Sequence, residues 1–569
     1  MKQIGRPDTP APILTPDGFD LSIDNTPSSF DPSKAAKIHF DGTKISVQGR
    51  GATARGNLLT IGTGGTYVLS GRLDDGCIVV MASEDQVVQL VLDGASIPCK
   101  DDAPLYVIEA GKVVLTLTEN SENYLSDGSS YALFHGDNKV DGCIYSKVDL
   151  VINGTGSLEV TGNFRHGIVS KDGLTVTGGR VRITSAGQGL SGRDYVKVGG
   201  GEVDIRSQTD GIQSSSTAKG RGLFYMAGGN LAIDAQNDAI QAENLVQIDG
   251  GTLSVTTRGG SENAPSSLSG SPHTQWSMAG AEKPEAEEEA VDFNAKGLKS
   301  AHTVRITGGE MEIDTYEDAI HANGSVEISG GNLSIFAGDD AVHADEDVLI
   351  SGGTLHIPAC YEGLEGATVT ISGGDIAVTA SDDGINAASK DPKKENRPKE
   401  SLDGEDNDYF VRITGGTLSI DAAGDGIDTN GDLYVEGGSI QVCGASYTSD
   451  TALDYDGVAI ITGGTILAAG SGPWAQGFGP LSTQYSFLCN LPDTVPGGIP
   501  LTLTDQSGQV LATYTPARMY QSVVYSSPAL RKGETYFFLA ADQSASVTLN
   551  RIDAANVTSQ ETRPTDSPY

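Results

Sequence analysis

The chain has 569 residues, 74 of them glycine, with only 6% aromatics and a formal net charge of −38. That charge excludes nucleic acid as a partner, because nucleic-acid binding is built on basic patches, and it excludes direct contact with a polyanion unless a cation stands between. No stretch approaches the roughly 18 uninterrupted apolar residues of a transmembrane helix.

Residues 1–36 are rich in Pro, Asp and Ser and read as a flexible leader. The first residues, Met1-Lys2-Gln3-Ile4-Gly5-Arg6-Pro7, carry no apolar signal core. A glycine-rich acidic chain of this kind is expected outside the cell or at its surface, with an export signal already removed. Residues 37–134 alternate well (Ile45-Ser-Val47, Thr66-Tyr-Val-Leu69, Gln86 to Leu92) but without strict phase, as expected of N-terminal capping coils.

Residues 135–470 are organised by a repeat. Gly-Gly pairs return after 22 residues from Gly228 to Gly250, Gly308 to Gly330, Gly330 to Gly352 and Gly415 to Gly437, and after 21 from Gly352 to Gly373. Within one unit Leu333 and Ile335 alternate with polar residues, Ala341-Val342 form a second short apolar segment, and Ile350 lies on a third strand. Three short strands and three corners in about 22 residues close one coil of a parallel β-helix, whose apolar face is buried only by stacking on its neighbours. Glycine pairs supply the positive φ that tight corners need. Two insertions, 259–289 and 389–408, read as loops leaving a corner, and Trp276 in the first is either a sugar-stacking or an incidental aromatic. Residues 471–550 lose the period but keep strand-like runs (Tyr485–Leu488, Leu501–Leu503, Val510–Tyr514, Ser522–Tyr525, Tyr536–Leu539), as a C-terminal β cap over an open sheet edge would. Residues 551–569 read as a tail. The six cysteines suit buried thiols better than disulfides, although Cys77 and Cys99 stand one period apart.

The chemistry lies in two columns. With coils aligned on the Gly-Gly after each acidic turn, one column reads His166, Gln188, Asp210, Asp238, Lys296, Asp318, Asp340, Glu362, Asp383, Asp425, Thr451. Three residues on, a second reads Val169, Ser191, Gln213, Gln241, Lys299, His321, His343, Glu365, Asn386, Asp428, Asp454. An apolar residue between the columns points inward, so both columns are expected to face outward. Seven acids, Glu317, Asp318, Asp339, Asp340, Glu362, Asp382 and Asp383, fall on four successive coils. Coils stack about 4.8 Å apart and calcium–oxygen bonds are about 2.4 Å, so one Ca2+ can bridge carboxylates on adjacent coils. The expected calcium ligands are these seven with Asp210, Asp238, Asp425 and Asp428. The plainer reading is corner chemistry, each Asp capping its own backbone. Lys296, Lys299, His321, His343, Glu365 and Asn386 are the expected substrate-binding side chains, the two histidines as exposed hydrogen-bonding groups rather than metal ligands.

The stretches Gly65-Thr-Tyr-Val-Leu-Ser-Gly71, Val88-Gln-Leu-Val-Leu-Asp-Gly94, Glu122-Asn-Tyr-Leu-Ser-Asp-Gly128, Gly167-Ile-Val-Ser-Lys-Asp172, Asp238-Ala-Ile-Gln-Ala242, Lys296-Gly-Leu-Lys-Ser300, Asp382-Asp-Gly-Ile-Asn386 and Tyr520-Gln-Ser-Val-Val524 resemble the bacterial extracellular carbohydrate-binding domain-containing proteins. The resemblance runs from about Ile38 to Leu539. It implies an all-β fold, a right-handed parallel β-helix akin to pectate lyases with a C-terminal β cap. It also implies calcium along the acidic turns and a plant-type or acidic polysaccharide as partner. Lys296, Glu362 and Thr451 depart from the turn Asp.

Three functions follow. The first is calcium-dependent binding of an acidic, polygalacturonate-like or plant-type polysaccharide without catalysis. The second is a calcium-dependent polysaccharide lyase, with Lys296 as the base that abstracts the proton α to a uronate carboxylate; the plainer role of Lys296 is to neutralise neighbouring Asp residues. The third is a structural or adhesive surface protein that self-associates through its solenoid ends into calcium-triggered fibres.

Overall fold

The computed structural model describes residues 13–132, 140–265, 295–388, 408–446 and 450–556. Trp276, most of both insertions and the tail from 557 lie outside the described residues. The chain divides into two compact units, one of residues 1–259 and 291–315, the other of residues 260–290 and 316–569.

In the first unit each coil contributes three strands to three ladders. Leu223–Met226, Asn230–Ala235 and Ile240–Ala242 make one coil. The six-residue strand alternates exposed and buried residues, pairs Asn230 with Thr252 in the following coil, and sends Leu231 and Ile233 into the core. Glu202–Ser207 and Arg180–Ser185 precede it in the same parallel register. At the start, Ala36–Gly42 folds back antiparallel on Lys44–Gln48 and runs parallel to Gly65–Leu73.

The second unit repeats the pattern. Asn332–Ala337, Thr354–Cys360, Asp375–Ala380, Thr417–Ala422, Ser439–Cys443 and Thr465–Gly470 stack in parallel. Leu333, Leu355, Ile376, Leu418, Ile440 and Ile466 align along the interior. The last coil is closed by antiparallel strands: Thr465–Gly470 pairs with Tyr520–Ser526, which pairs with Ser486–Val495. A four-stranded antiparallel sheet of Leu501–Thr504, Val510–Tyr514, Thr535–Ala540 and Gln543–Thr548 packs here around Phe487, Tyr520, Tyr536 and Phe538. The protein is thus a parallel β-solenoid with a C-terminal β cap. Among the described residues the only helix is one 3-10 turn, Ser261–Asn263, and none is long and apolar enough to cross a membrane.

The stretch from residue 13 to the first strand is not a free leader. Phe19 and Leu21 pack on Leu223, Tyr225 and Leu245. The Lys197 ammonium donates to the Ser22 carbonyl at 2.9 Å, Asn153 Nδ2 donates to the Thr26 carbonyl at 2.8 Å, and Lys112 pairs with Asp24. The cause is on the flank: all four residues of Leu223–Met226 are buried, so the outward apolar groups of that strand need a cover. All six cysteines are free thiols, with Cys77 hydrogen-bonded to Cys99.

The repeated glycine pairs do a defined job. The second of each pair has positive φ, as at Gly353 (91°), Gly374 (101°) and Gly438 (87°). A Cβ on Gly353 would stand 3.0 Å from the Gly330 carbonyl of the preceding coil. Gly353→Ala is therefore expected to cost about 1–3 kcal/mol from backbone strain alone, seen as a lower urea midpoint; an unchanged midpoint would contradict this account of the corner.

Candidate metal and carbohydrate-binding site

The site is built on the shortest strand of each coil. In the first unit Leu190–Gly192, Ile212–Ser214, Ile240–Ala242 and Leu298–Ser300 stack so that Ser191, Gln213, Gln241 and Lys299 are in register. In the second, Ile320–Ala322, Val342–Ala344, Leu364–Gly366, Ile385–Ala387 and Ile427–Thr429 align His321, His343, Glu365, Asn386 and Asp428. A three-residue strand sends two side chains inward and one outward, so each coil offers one central polar side chain to this ladder.

The turn before each strand supplies the first column, and its carboxylates reach forward by one coil. Asp238 Oδ1 accepts the Lys296 N–H at 3.0 Å, Asp318 Oδ1 the Asp340 N–H at 3.3 Å, and Asp383 Oδ1 the Asp425 N–H at 2.7 Å. Asp425 accepts the Thr451 N–H in the same way. The sequence reading has each Asp capping its own turn; the cap falls instead on the equivalent residue of the next coil. The other carboxylate oxygen meets the second column: Asp238 Oδ2 lies 2.9 Å from Lys299 Nζ, Asp318 Oδ2 2.8 Å from His321 Nδ1, and Asp340 Oδ2 2.9 Å from His343 Nδ1.

Nor do the columns simply face water. Asp210, Asp238, Lys296, Asp318, His321, Asp340, His343 and Asp425 are buried, His343 to 2% exposure, while Glu317, Asp339, Glu362, Glu365, Asp382, Asp383, Asn386, Asp428 and Lys299 are half-buried. Side chains stacked at the coil spacing cover one another, and a carboxylate folded onto the next coil gives up its solvent. The histidines are accordingly not exposed groups. His343 pairs with Glu365 as well as Asp340, and the two imidazole rings stack at 4.9 Å with 14° between their planes.

Charge is handled differently along the two stretches. In the first unit Lys299 neutralises Asp238, and Gln188 donates to Asp210 and to Gln213 at 3.2 and 2.6 Å. Burial, then the Asp238 carboxylate, still raises Asp210 to about 6. Among the described residues no group of three ligating side chains forms there. In the second unit two all-carboxylate groups do: Asp425, Asp428 and Asp454, and Asp318, Asp339 and Asp340, with ligand oxygens within 4.8 Å of one another. Burial, then Asp428 and Asp454, raises Asp425 to about 9. Burial, then Asp454, raises Asp428 to about 7. Burial, then Glu365, raises Glu362 to about 8. Oxygen donors only, a span near twice a calcium–oxygen bond, and carboxyls driven toward neutrality by each other fit a hard divalent cation. At His321 and His343 the donor set is mixed and fits calcium poorly.

Asp454 closes the second column in the sequence but is not among the expected calcium ligands; the sequence reading left out Tyr361, whose hydroxyl donates to Asp382, and Asn323 and Asp345, which face the Nε2 atoms of His321 and His343. Asn323 and Asp345 recur at the 22-residue spacing two positions after each histidine, which was the available signal.

The raised carboxyls set a pH dependence. Unfolded, Asp and Glu titrate near 4; folded, Asp425, Glu362 and Asp428 hold their protons to about 9, 8 and 7. Below about 4 both states are protonated and nothing is lost; as pH rises toward 9 only the unfolded chain ionises freely, so stability falls. Chelator-treated protein is expected to lose melting temperature steadily between pH 5 and about 9, and Asp425→Asn to flatten that slope. A melt independent of pH in this window would refute the crowding.

The family described as carbohydrate-binding domain-containing protein matches residues 55–341 and 339–472. A carbohydrate-binding domain-containing protein of Acetivibrio thermocellus is 36% identical over 150 residues, 26% of this chain and 52% of that protein; the chain thus spans about half the length of the curated relative it matches. A solved structure of a polysaccharide lyase-like protein from C. thermocellum, in a gadolinium derivative, is 34% identical, covers 40% of this chain and 92% of its own, and superposes with a TM-score of 0.39. With the match extending over most of the repeat, the chain belongs to the carbohydrate-binding domain-containing protein family.

Proposed function

We propose that the protein is an extracellular, calcium-dependent carbohydrate-binding β-solenoid that holds an acidic, polygalacturonate-like or plant-type polysaccharide without catalysis. One observation carries the reading: half-buried and buried carboxyls of adjacent coils, Asp383, Asp425, Asp428 and Asp454, crowd one another so strongly that burial, Asp428 and Asp425 push Asp383 well above the carboxylate range. Asp425, Asp428 and Asp454 would hold the cation. Calcium bound there would bridge protein carboxylates to uronate carboxylates, which reconciles a chain of net charge −38 with an anionic polymer. The coil repeat, about 4.8 Å per step, lays such groups along a line, as a linear polymer requires.

Lys296 and Lys299 support binding rather than turnover. Lys299 forms an ion pair with the Asp238 carboxylate, and Lys296 is buried with its backbone N–H bonded to the same residue. A base for β-elimination has to reach the substrate as an unprotonated amine; the ion pair with Asp238 works against this at Lys299, and burial leaves Lys296 little access to a polymer outside.

Incubation with polygalacturonate and calcium tests this. We expect the protein to co-sediment with the polymer, chelator to release it, and Asp428→Asn to weaken binding at least tenfold, with no ultraviolet-absorbing unsaturated product. Growth of that absorbance, abolished by Lys296→Ala, would make the protein a lyase; co-sedimentation unaffected by chelator would remove calcium from the account.

A further inference from the structure

Two stacked imidazoles in a wall of carboxylates are not explained by calcium. His321 and His343 occupy the same register position on consecutive coils, with Asp318 and Asp340 each three residues before them. Both rings are buried, at 7% and 2% exposure.

The proton positions decide what the cluster can do. Asn323 Oδ1, an amide oxygen that only accepts, lies 3.1 Å from His321 Nε2, so the ring carries its hydrogen there and donates it. Asp345 Oδ1 stands 3.3 Å from His343 Nε2 and fixes that ring alike. Each Nδ1 lone pair then faces a carboxylate oxygen, at 2.8 Å from Asp318 and 2.9 Å from Asp340. Two lone pairs that close need a positive centre: a proton on each ring or a shared metal ion. A ring nitrogen bound to metal with its other N–H held by a carboxylate or amide oxygen is the usual arrangement of a histidine ligand. Nitrogen and oxygen ligands placed tetrahedrally on an ion with bonds of about 2.0–2.1 Å lie about 3.3 Å apart, so the 2.8 and 2.9 Å pairs would open by about half an ångström to take it. Asp318, His321 and His343 bring their ligand atoms within 4.8 Å of one another, and so do Asp340, His343 and Glu365.

We propose a transition-metal site at this step of the solenoid, taking Zn2+ or a similar borderline divalent ion through His321, His343 and Asp318, with Asp340 or Glu365 as fourth ligand. Two imidazoles and carboxylates select zinc, cobalt or nickel over calcium. The two histidines, Asp318 and Asp340 are buried, which suits a structural rather than a catalytic site: the ion ties one coil to the next. This inference is independent of the polysaccharide reading, which rests on Asp425, Asp428 and Asp454.

The test uses the full chain, stripped with chelator and titrated with Co2+. We expect visible d–d bands that saturate at one equivalent, are displaced by equimolar Zn2+, and survive a hundredfold excess of Ca2+, about 2.7 kcal/mol of selectivity. His321→Gln and His343→Gln should each abolish the bands, and each should lose the Zn2+-induced rise in melting temperature. Circular dichroism of both variants, and of His321→Asn, confirms that they remain β-solenoids; a band that disappears only in an unfolded variant counts against the site. The absence of bands with the wild-type chain, their persistence in folded histidine variants, or their loss to calcium would overturn it and leave a pair of proton-bridged imidazoles. Calcium-dependent sedimentation with polymer is read separately, so failure of either proposal leaves the other standing.

Discussion

The interaction on which the structure depends is a hydrogen bond thrown forward by one coil. At Asp238, Asp318, Asp383 and Asp425 a carboxylate oxygen accepts the backbone N–H of the equivalent residue in the next repeat. Corner amides cannot join the strand ladders, and a buried amide without a partner is costly. The solution ties coils together where the ladders stop, and it brings negative charge wherever the corner residue is acidic. The central residue of the short strand then determines how the charge is met. Lys299 meets it with an ammonium, Asn386 with an amide, and His321 and His343 with imidazoles. Asp428 adds a further carboxyl. One scaffold therefore carries stretches of different chemistry without changing its backbone.

Much of the fold was legible in the sequence because glycine spacing and strand alternation are local. The pairs at Gly330 and Gly352 marked corners that the structure realises with positive φ at Gly331 and Gly353. Most of the cap strands lay where alternation put them, within a residue or two at their ends. Gln543–Thr548 escaped notice because a run of Gln, Ser, Ala and Ser has no apolar stripe to read. The packed stretch around Phe19 and Leu21 was obscured by its prolines and aspartates. The demand for it comes from Leu223 and Tyr225, about two hundred residues away in the chain, and no local pattern contains that information.

For the site, counting found the residues and not their surroundings. Aligning repeats placed His321 opposite His343 and Glu365 opposite Asn386, as the strand register has them. Direction was the weaker part. A strand of three residues gives too little alternation to show how far a flanking carboxylate folds inward, so the columns looked solvated. Burial of Asp318 and Asp340 depends on hydrogen bonds to neighbouring coils, and such bonds are visible only once the coils are stacked.

The ladders also show how this solenoid keeps count. Ile240 pairs with Leu298 although 58 residues separate them, and Ile385 pairs with Ile427 across 42, where Leu190 to Ile212 and Ile320 to Val342 take 22. Position along the axis is set by the strand beneath, not by the length of chain consumed in reaching it. Loop-closure entropy grows only slowly with length, so extra sequence at a corner leaves the next coil in place. Such a chain can acquire, shorten or exchange whole loops beside its polar ladder over evolutionary time, varying what surrounds a ligand while the ladder stays in step.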